Sequence, residues 1–321
     1  MKHLFVLNPK AGKRDRTVEL TKMIAAACKP RGLDYELRIS AYAGDCTQIV
    51  REAAERGGEL RVYACGGDGT LNEVVTGAMG HPNVAVTHIP CGSGNDFIRI
   101  FSDTAPFSDL TQLLDPAETL LDVIGVNGER YGLNICSVGI DARIAADAAK
   151  FKKLPGVSGS GAYGISVLTN VFQGIRFPCE IELNGRTIRG EETLVCICNG
   201  RYYGGGFNPV PEAQPDDGVL DVLAVRGVGL AQFAALLGKY RSGRFRELSD
   251  YITYYRTDKV IVRTPQESII NLDGEVYRAS RVHFTVLPAS LRFFYPKSVF
   301  FREKTEEIKQ NEEILSCPVE K

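Results

Sequence analysis

The sequence lacks any stretch that would cross a membrane as a helix. Residues 154–175 carry no charge, but their first half, LPGVSGSGAYG, is rich in glycine and serine. A spanning helix needs about 20 predominantly apolar residues. If the protein works on lipids, it visits the membrane and does not reside in it. The nine cysteines show no CxxC or other metal-like spacing and follow no signal peptide, which predicts reduced, buried thiols in a cytoplasmic protein. Cys196 and Cys198 stand two apart on a strand pattern and should share a face. Nor does either sign of charge prevail: the net charge is -1, so there is no global pull toward nucleic acid or anionic lipid. Any affinity for phosphate must be local.

What is present is enough apolar sequence for two cores. The 321 residues are 44% hydrophobic and 24% charged, and that length suggests about two domains. The first 120 residues alternate strand and helix. HLFVLN precedes RTVELTKMIAAACKPRG, DYELRIS precedes TQIVREAAERGG, LRVYACGG precedes TLNEVVTGAM, and VAVTHIPCG precedes NDFIRIF. This predicts an α/β, doubly wound parallel sheet with its ligand at the carboxyl ends of the strands. After residue 121 the pattern turns to antiparallel β. LLDVIGVNGERYGLNICSVG and CEIELNGRTIRG each hold an Asn-Gly pair, the strongest short hairpin signal. TLVCICNG, LDVLAVRG, KVIVRT, SIINLDG and RVHFTVLP read as further strands, and GLAQFAALLGKYRSG as one helix. The expected division is therefore an α/β domain at 1–121, a β-sandwich or flattened barrel at 122–297, and a tail at 298–321 that could pack back on the first domain.

Four strand-to-helix turns fall on one edge of the predicted sheet: NPKAGK (8–13), AYAGD (41–45), GGDGT (66–70) and PCGSGND (90–96). Each combines glycine with a polar residue, and together they point to a nucleotide. The first has no Lys-Ser/Thr at phosphate-loop spacing and is not a Walker A. Lys13 either neutralises phosphate or is a solvated surface lysine. In the third, Asp68 would repel phosphate unless a cation lies between them. Mg2+ takes oxygen ligands and bridges carboxylate to phosphate, so one reading makes Asp68 part of a magnesium site. The other makes it the N-cap of the next helix, a position Thr70 could equally fill. Asp96 and Arg99, three apart, can form an ion pair on one helix, either structural or orienting Asp68.

GGDGTLNEV and GSGNDFIR resemble the diacylglycerol kinase catalytic family, especially its soluble bacterial lipid kinases. NPKAGK, CNGRYYGGGF (198–207), PDDGVLDV (215–222) and LDGE (272–275) extend the likeness over nearly the whole chain. The resemblance implies an ATP site on the first domain, a lipid-facing cleft and a β-rich second domain. By position, Asn8, Lys13, Gly66, Gly67, Asp68, Gly69 and Thr70 would hold the phosphates, with Ser40 or Gly44 near the adenosine. Asn72, Glu73, Gly92, Ser93, Gly94 and Asn95 complete the same surface. Asp68 and Asp96 would hold the catalytic Mg2+ and its waters, with Lys13 and Arg99 as partners and Asp122 joining from the hinge. Glu275 would be the general base, with Asp273 its local competitor. A second, structural Mg2+ is implied at Asp217, helped by the carbonyls of Gln214 and Val219. The bland alternative is a Pro-Asp-Asp-Gly turn. Lys10 and Cys91 depart from the residues usual at their positions without removing a required group.

The implied reaction is transfer of the γ-phosphoryl of ATP to a lipid hydroxyl, with diacylglycerol as acceptor and phosphatidic acid as product. Because the two motif groups lie in different domains, a closing cleft is expected to assemble the site. Sphingoid-base or ceramide kinase, NAD kinase and a nucleotide-binding regulator without turnover are the competing readings. The nicotinamide features of NAD kinases are not visible, and a silent regulator would have lost Asp68 or Glu275. The basic stretches AKFKKLPG (149–156) and GKYRSGRFR (238–246) are either solvated faces or contacts for transient association with the inner face of the membrane. No nucleic-acid partner is expected, and a homodimer stays open.

Overall fold

The computed structural model describes residues 1–151 and 175–301. Four parallel strands, β1 (Lys2–Leu7), β2 (Tyr35–Ile39), β3 (Leu60–Gly66) and β4 (Val84–Pro90), lie in the order β2-β1-β3-β4. They alternate with α1 (Thr17–Cys28), α2 (Asp45–Glu55) and α3 (Asp68–Ala78). Helices α2 and α3 pack together, while α1 packs with the short α4 (Leu110–Leu113). β3 and β4 are almost wholly buried along their length, which explains why they read as continuous apolar runs.

The fourth expected helix is not one. NDFIRIF forms only a 3₁₀ turn over Phe97–Ile100, in which Phe97, Ile98 and Ile100 are all buried. Only Arg99 stays partly exposed, and the three apolar residues pack into the core of the parallel sheet.

The second half is antiparallel. Both Asn-Gly pairs make hairpin turns with positive φ at each residue: Asn127 and Gly128 join β5 (Pro116–Val126) to β6 (Arg130–Gly132), and Asn184 and Gly185 join β8 (Phe177–Leu183) to β9 (Arg186–Cys198). KVIVRT and SIINLDG merge into one strand, β12 (Lys259–Leu272), whose register slips between Arg263 and Ser268. β7 (Ile135–Gly139), β9, β8 and β12 pair in a closed circuit, the flattened barrel expected, around Val138, Ile181, Val195, Ile197, Val260 and Ile270. β10 (Leu220–Arg226) and β11 (Ile252–Thr257) extend it beyond β9. Helix α5 (Ile140–Phe151) follows β7, and α6 (Leu230–Arg241) is the helix expected among the strands. Cys196 and Cys198 do share a face, with Sγ atoms 3.6 Å apart, and the cysteines among the described residues are all free.

The two halves form one sheet of 13 strands. β13 (Glu275–Pro296) pairs antiparallel with β12 and β5, then runs parallel to β4 at Arg292 and Phe293. Leu121 of β5 and Leu291, Phe293 and Phe294 of β13 consequently belong to the core of the parallel sheet. Tyr63 stacks on Phe5 at 4.1 Å and meets Phe294 edge-on at 5.0 Å. Val299 and Phe301 also pack on this core, and the tail from 302 onward lies outside the described residues, as does most of AKFKKLPG. Phe293 touches both Phe97 and Phe101, so it supports the loop that follows β4. Phe293→Ala should cost about 3–5 kcal/mol, read as a lowered urea midpoint.

Candidate active site

The loops after β1, β3 and β4 interlock before any ligand is considered. The Asn8 side-chain amide donates to Thr70 Oγ1 at 2.9 Å. The Gly66 carbonyl accepts from the amides of Cys91 (2.7 Å) and Gly92 (3.2 Å) and from His88 Nε2 (3.0 Å). Burial holds His88 below its ordinary pKa, opposed by the charge of Asp68. A Cβ on Gly92 would come within 2.5 Å of Gly67 Cα, and one on Gly94 within 2.6 Å of Asp68 Oδ2. These two glycines are therefore required by loop-on-loop contact, whatever they later offer a phosphate.

Asp68 is not the helix cap that one sequence reading made it. It opens α3, but the N-cap is Gly67 and no side chain caps the helix. Its Oδ2 accepts from the Asn95 amide at 2.8 Å and its Oδ1 from the Asp96 amide at 2.5 Å. The carboxylate pins the loop after β4. Thr70 does not cap either, because its hydroxyl accepts from Asn8. Asp96 Oδ2 accepts from the Gly205 amide at 2.7 Å, and Oδ1 lies 3.2 Å from Arg99 Nε, the expected i,i+3 pair. Arg99 also donates to the Gly94 carbonyl. Burial pushes the Asp96 carboxyl up to about 6, with the neighbouring charge of Asp68 adding to the effect.

Glu275 reaches this cluster from the second half of the chain. It follows the Asp273–Gly274 turn, and its Oε1 would lie 3.5 Å from a Cβ on Gly69. Desolvation raises its pKa, and the charge of Glu73 raises it further while Arg130 opposes. Asp273 has another task. Its carboxylate accepts from the amides of Leu133, Asn134 and Ile135 at 2.5–3.2 Å and from Asn72 Nδ2 at 3.2 Å. Asn72 also donates to the Tyr131 carbonyl at 2.9 Å. Helix α3 and the LDGE turn are thus already bonded across the two halves, and no closing motion is needed to bring Glu275 to the glycine loop.

Other expected residues scatter. Ser40 is buried, and its amide donates to Leu7 O. Gly44 caps α2 with φ +88°. Glu73 accepts from the Cys46 amide at 3.1 Å, which joins α3 to the start of α2. Lys13 and Ser93 are exposed. Asp122 spends its oxygens elsewhere: they accept from the amides of Gly218 and Ala289 at 2.7 and 2.8 Å. It braces the PDDG loop. Within that loop Asp217 pairs with Arg256 and accepts from the Val219 amide at 3.3 Å, and Arg256 also lies 3.3 Å from Asp221. A metal ion at Gln214, Asp217 and Val219 would have to compete with that guanidinium, so these residues as placed do not favour one. Asp68 and Asp96 do fit Mg2+. Their carboxylates both lie against Gly94, and the charge of Asp68 adds to the cost of charging Asp96. One or two carboxylates plus substrate phosphates are the usual ligands of that ion. Among the described residues no cluster of three or more acidic, His or Cys side chains is arranged for a metal.

Sequence reasoning gave no role to Gly205, whose amide holds Asp96, or to Asn134 and Asn199, which stitch the second half together. The run of three glycines in YYGGGF was the available signal, since adjacent glycines suggest a backbone that comes close to something.

The chain matches known proteins along nearly its whole length. Residues 2–126 match the diacylglycerol kinase catalytic domain, and residues 134–295 match the YegS C-terminal NAD kinase beta sandwich-like domain. A Pseudomonas aeruginosa protein named as a probable YegS-like lipid kinase is 30% identical over 300 residues, covering 92% of this chain and 96% of that one. The chain belongs to the YegS-like lipid kinase family. A Shewanella frigidimarina protein with the same name is 25% identical, covering 89% of this chain and 92% of its own. A Bacillus anthracis crystal structure assigned as a diacylglycerol kinase superposes with a TM-score of 0.72 at 25% identity, covering 92% of this chain and 98% of that one. As a kinase of this family the protein uses ATP, and among its described residues no helix is long and apolar enough to cross a membrane.

In this lipid kinase the Asn72 bridge sets where Glu275 stands. Asn72→Ala should lower kcat at least tenfold while the affinity for a fluorescent ATP analogue changes less than threefold, as steady-state kinetics and direct titration would show.

Proposed function

We propose that this kinase transfers the γ-phosphoryl of ATP to the primary hydroxyl of diacylglycerol, giving phosphatidic acid. The observation that carries this reading is the Glu275 carboxylate standing over Gly69 at the start of α3, where the transferred group would lie. The Bacillus anthracis structure and the lipid kinase relatives support the acceptor class.

In the proposed reaction Glu275 takes the proton of the lipid hydroxyl as its oxygen attacks the γ-phosphorus. The bond to the bridging oxygen breaks in line, and ADP leaves with that electron pair. Such transfer depends mainly on positioning and charge neutralisation. A positioned base contributes about 10²–10⁴-fold. Amides of the Gly66–Thr70 and Gly92–Asn95 loops would donate to phosphate oxygens, with Lys13 and Arg99 close by. Mg2+ bound with ATP supplies charge neutralisation, and Asp68 and Asp96 are the residues that would hold it. Asp68 also keeps the loop after β4 in place, so its removal strikes both tasks.

Radiolabel transfer from ATP to a panel of diacylglycerol, monoacylglycerol, ceramide, sphingosine, phosphatidylglycerol, undecaprenol and NAD tests the reading. Strong labelling of diacylglycerol is expected; preferential labelling of a sphingoid base or NAD would replace it. Asp68→Ala should abolish turnover. Glu275→Ala should lose at least a hundredfold in kcat with nearly normal ATP binding. Wild-type lipid phosphorylation by either variant would overturn the mechanism.

The pH dependence follows from the surroundings of the base. Burial raises the Glu275 pKa and the charge of Glu73 adds to it, so the acid limb of kcat/KM should be shifted upward from that of an ordinary carboxylate. Glu73→Gln removes a negative neighbour and should move that limb to lower pH.

A further inference from the structure

Four carboxylates crowd the ten residues from Glu212 to Asp221, those of Glu212, Asp216, Asp217 and Asp221, and Asp122 of β5 adds a fifth. The PDDG turn lies within this stretch and has a structural duty. The Gly218 amide donates to Asp122 Oδ2, and the Pro215 carbonyl accepts from the Asp122 amide at 2.6 Å. Asp122 Oδ1 in turn accepts from the amide of Ala289, which stands at φ +48° in the bulge between Leu287 and Leu291. At that bulge β13 passes from its last pair with β12, at Thr285, to its first pair with β4, at Arg292. The shape of the turn therefore bears on the strand that joins the two halves.

Two arginines answer the crowded charge. Glu212 is buried and pairs with Arg246. Arg256 stands on β11 directly opposite Asp221 of β10, so the two side chains leave the sheet on one face. Its Nε lies 3.3 Å from Asp221 Oδ1, and its Nη2 pairs with Asp217 Oδ2. Both oxygens of Asp217 are thus engaged, because Oδ1 accepts from the Val219 amide. Asp221 is buried and also accepts from the Tyr254 hydroxyl. The backbone beneath the guanidinium is held as well, since Asn184 Nδ2 donates to the Arg256 carbonyl at 2.9 Å. A planar guanidinium carries its donors in a rigid fork, and here one fork spans the turn and the strand that follows it.

The family resemblance places a structural Mg2+ at this turn, on Asp217 and the carbonyls of Gln214 and Val219. Mg2+ sits about 2.0–2.1 Å from its oxygen ligands. An ion on either oxygen of Asp217 would have to displace the guanidinium or the Val219 amide, and would stand beside a fixed positive charge. We propose that Arg256 does at this turn the work that the resemblance assigns to the ion, so that the fold of the second half needs no metal. Any need for divalent ions is then confined to the nucleotide site.

Thermal unfolding of the nucleotide-free protein in EDTA and in MgCl2 tests this, with Asp217→Asn run alongside so that an ion bound elsewhere cancels. The wild type should shift with MgCl2 by no more than Asp217→Asn does. In EDTA, Arg256→Ala should unfold roughly 2–4 °C below the wild type. MgCl2 should restore at least half of that loss, and the double variant carrying Arg256→Ala and Asp217→Asn should show no such recovery. A MgCl2 shift in the wild type that Asp217→Asn abolishes would overturn the proposal, because the turn would then hold an exchangeable ion beside Arg256. An Arg256→Ala variant as stable as the wild type in EDTA would overturn it too, by showing that the guanidinium braces nothing. A loss that MgCl2 leaves unrepaired would overturn the equivalence of guanidinium and ion. Should Arg256→Ala fail to fold, Arg256→Lys takes its place: it keeps the charge without the fork, and a smaller loss with the same recovery in MgCl2 is expected.

Discussion

The backbone pairing of β13 is the constraint on which the molecule depends. A strand of 22 residues lies against β12 and β5 for most of its length and then beside β4. A strand can satisfy its amides only by keeping neighbours on both sides, so the parallel sheet and the barrel-like half cannot drift apart without breaking this ladder. Phe293 and Phe294 add a packing consequence, since the same residues that complete the ladder fill the first core. The glycine loops therefore sit on a base built by residues some two hundred positions later in the chain.

Local charge acts within that frame in a way that serves assembly first. Asp68 spends both oxygens on amides of the loop after β4, and Asp96 accepts from Gly205 in the second half. Asp273 receives the amides of three successive residues together with Asn72. Each of these carboxylates replaces lost water with N–H donors, which is what lets acidic groups be enclosed at all. The arrangement leaves Asp68 and Asp96 facing each other, a repulsion that a cation held there would relieve. The same groups thus hold the loops and prepare them for a charged ligand.

At 25–30% identity to its relatives both halves of the chain still match their family models. The PDDG loop shows where an individual chain settles the details. Asp122 braces it through Gly218, while Arg256 lies between Asp217 and Asp221. The Arg256 guanidinium at this crowded acidic turn lowers the repulsion there.

Periodicity and turn chemistry alone determined much of this protein. The β–α repeat, the positive-φ Asn-Gly hairpins, the helix Leu230–Arg241 and the glycine loops at one sheet edge are all legible because each depends on residues near one another in sequence. The motif likeness added Asp68, Asp96 and Glu275. What tertiary structure alone decided are relations between distant segments: that Asp68 grips a loop instead of capping its helix, that Asp122 faces Gly218 and Ala289, and that Asp273 is a staple while Glu275 reaches the glycine loop. The segment Phe97–Ile100 became a buried 3₁₀ turn for the same reason, because burial of its three apolar residues is imposed by neighbours. A carboxylate's role is set by which amides and charges surround it, and those neighbours come from strands whose pairing no local stretch encodes.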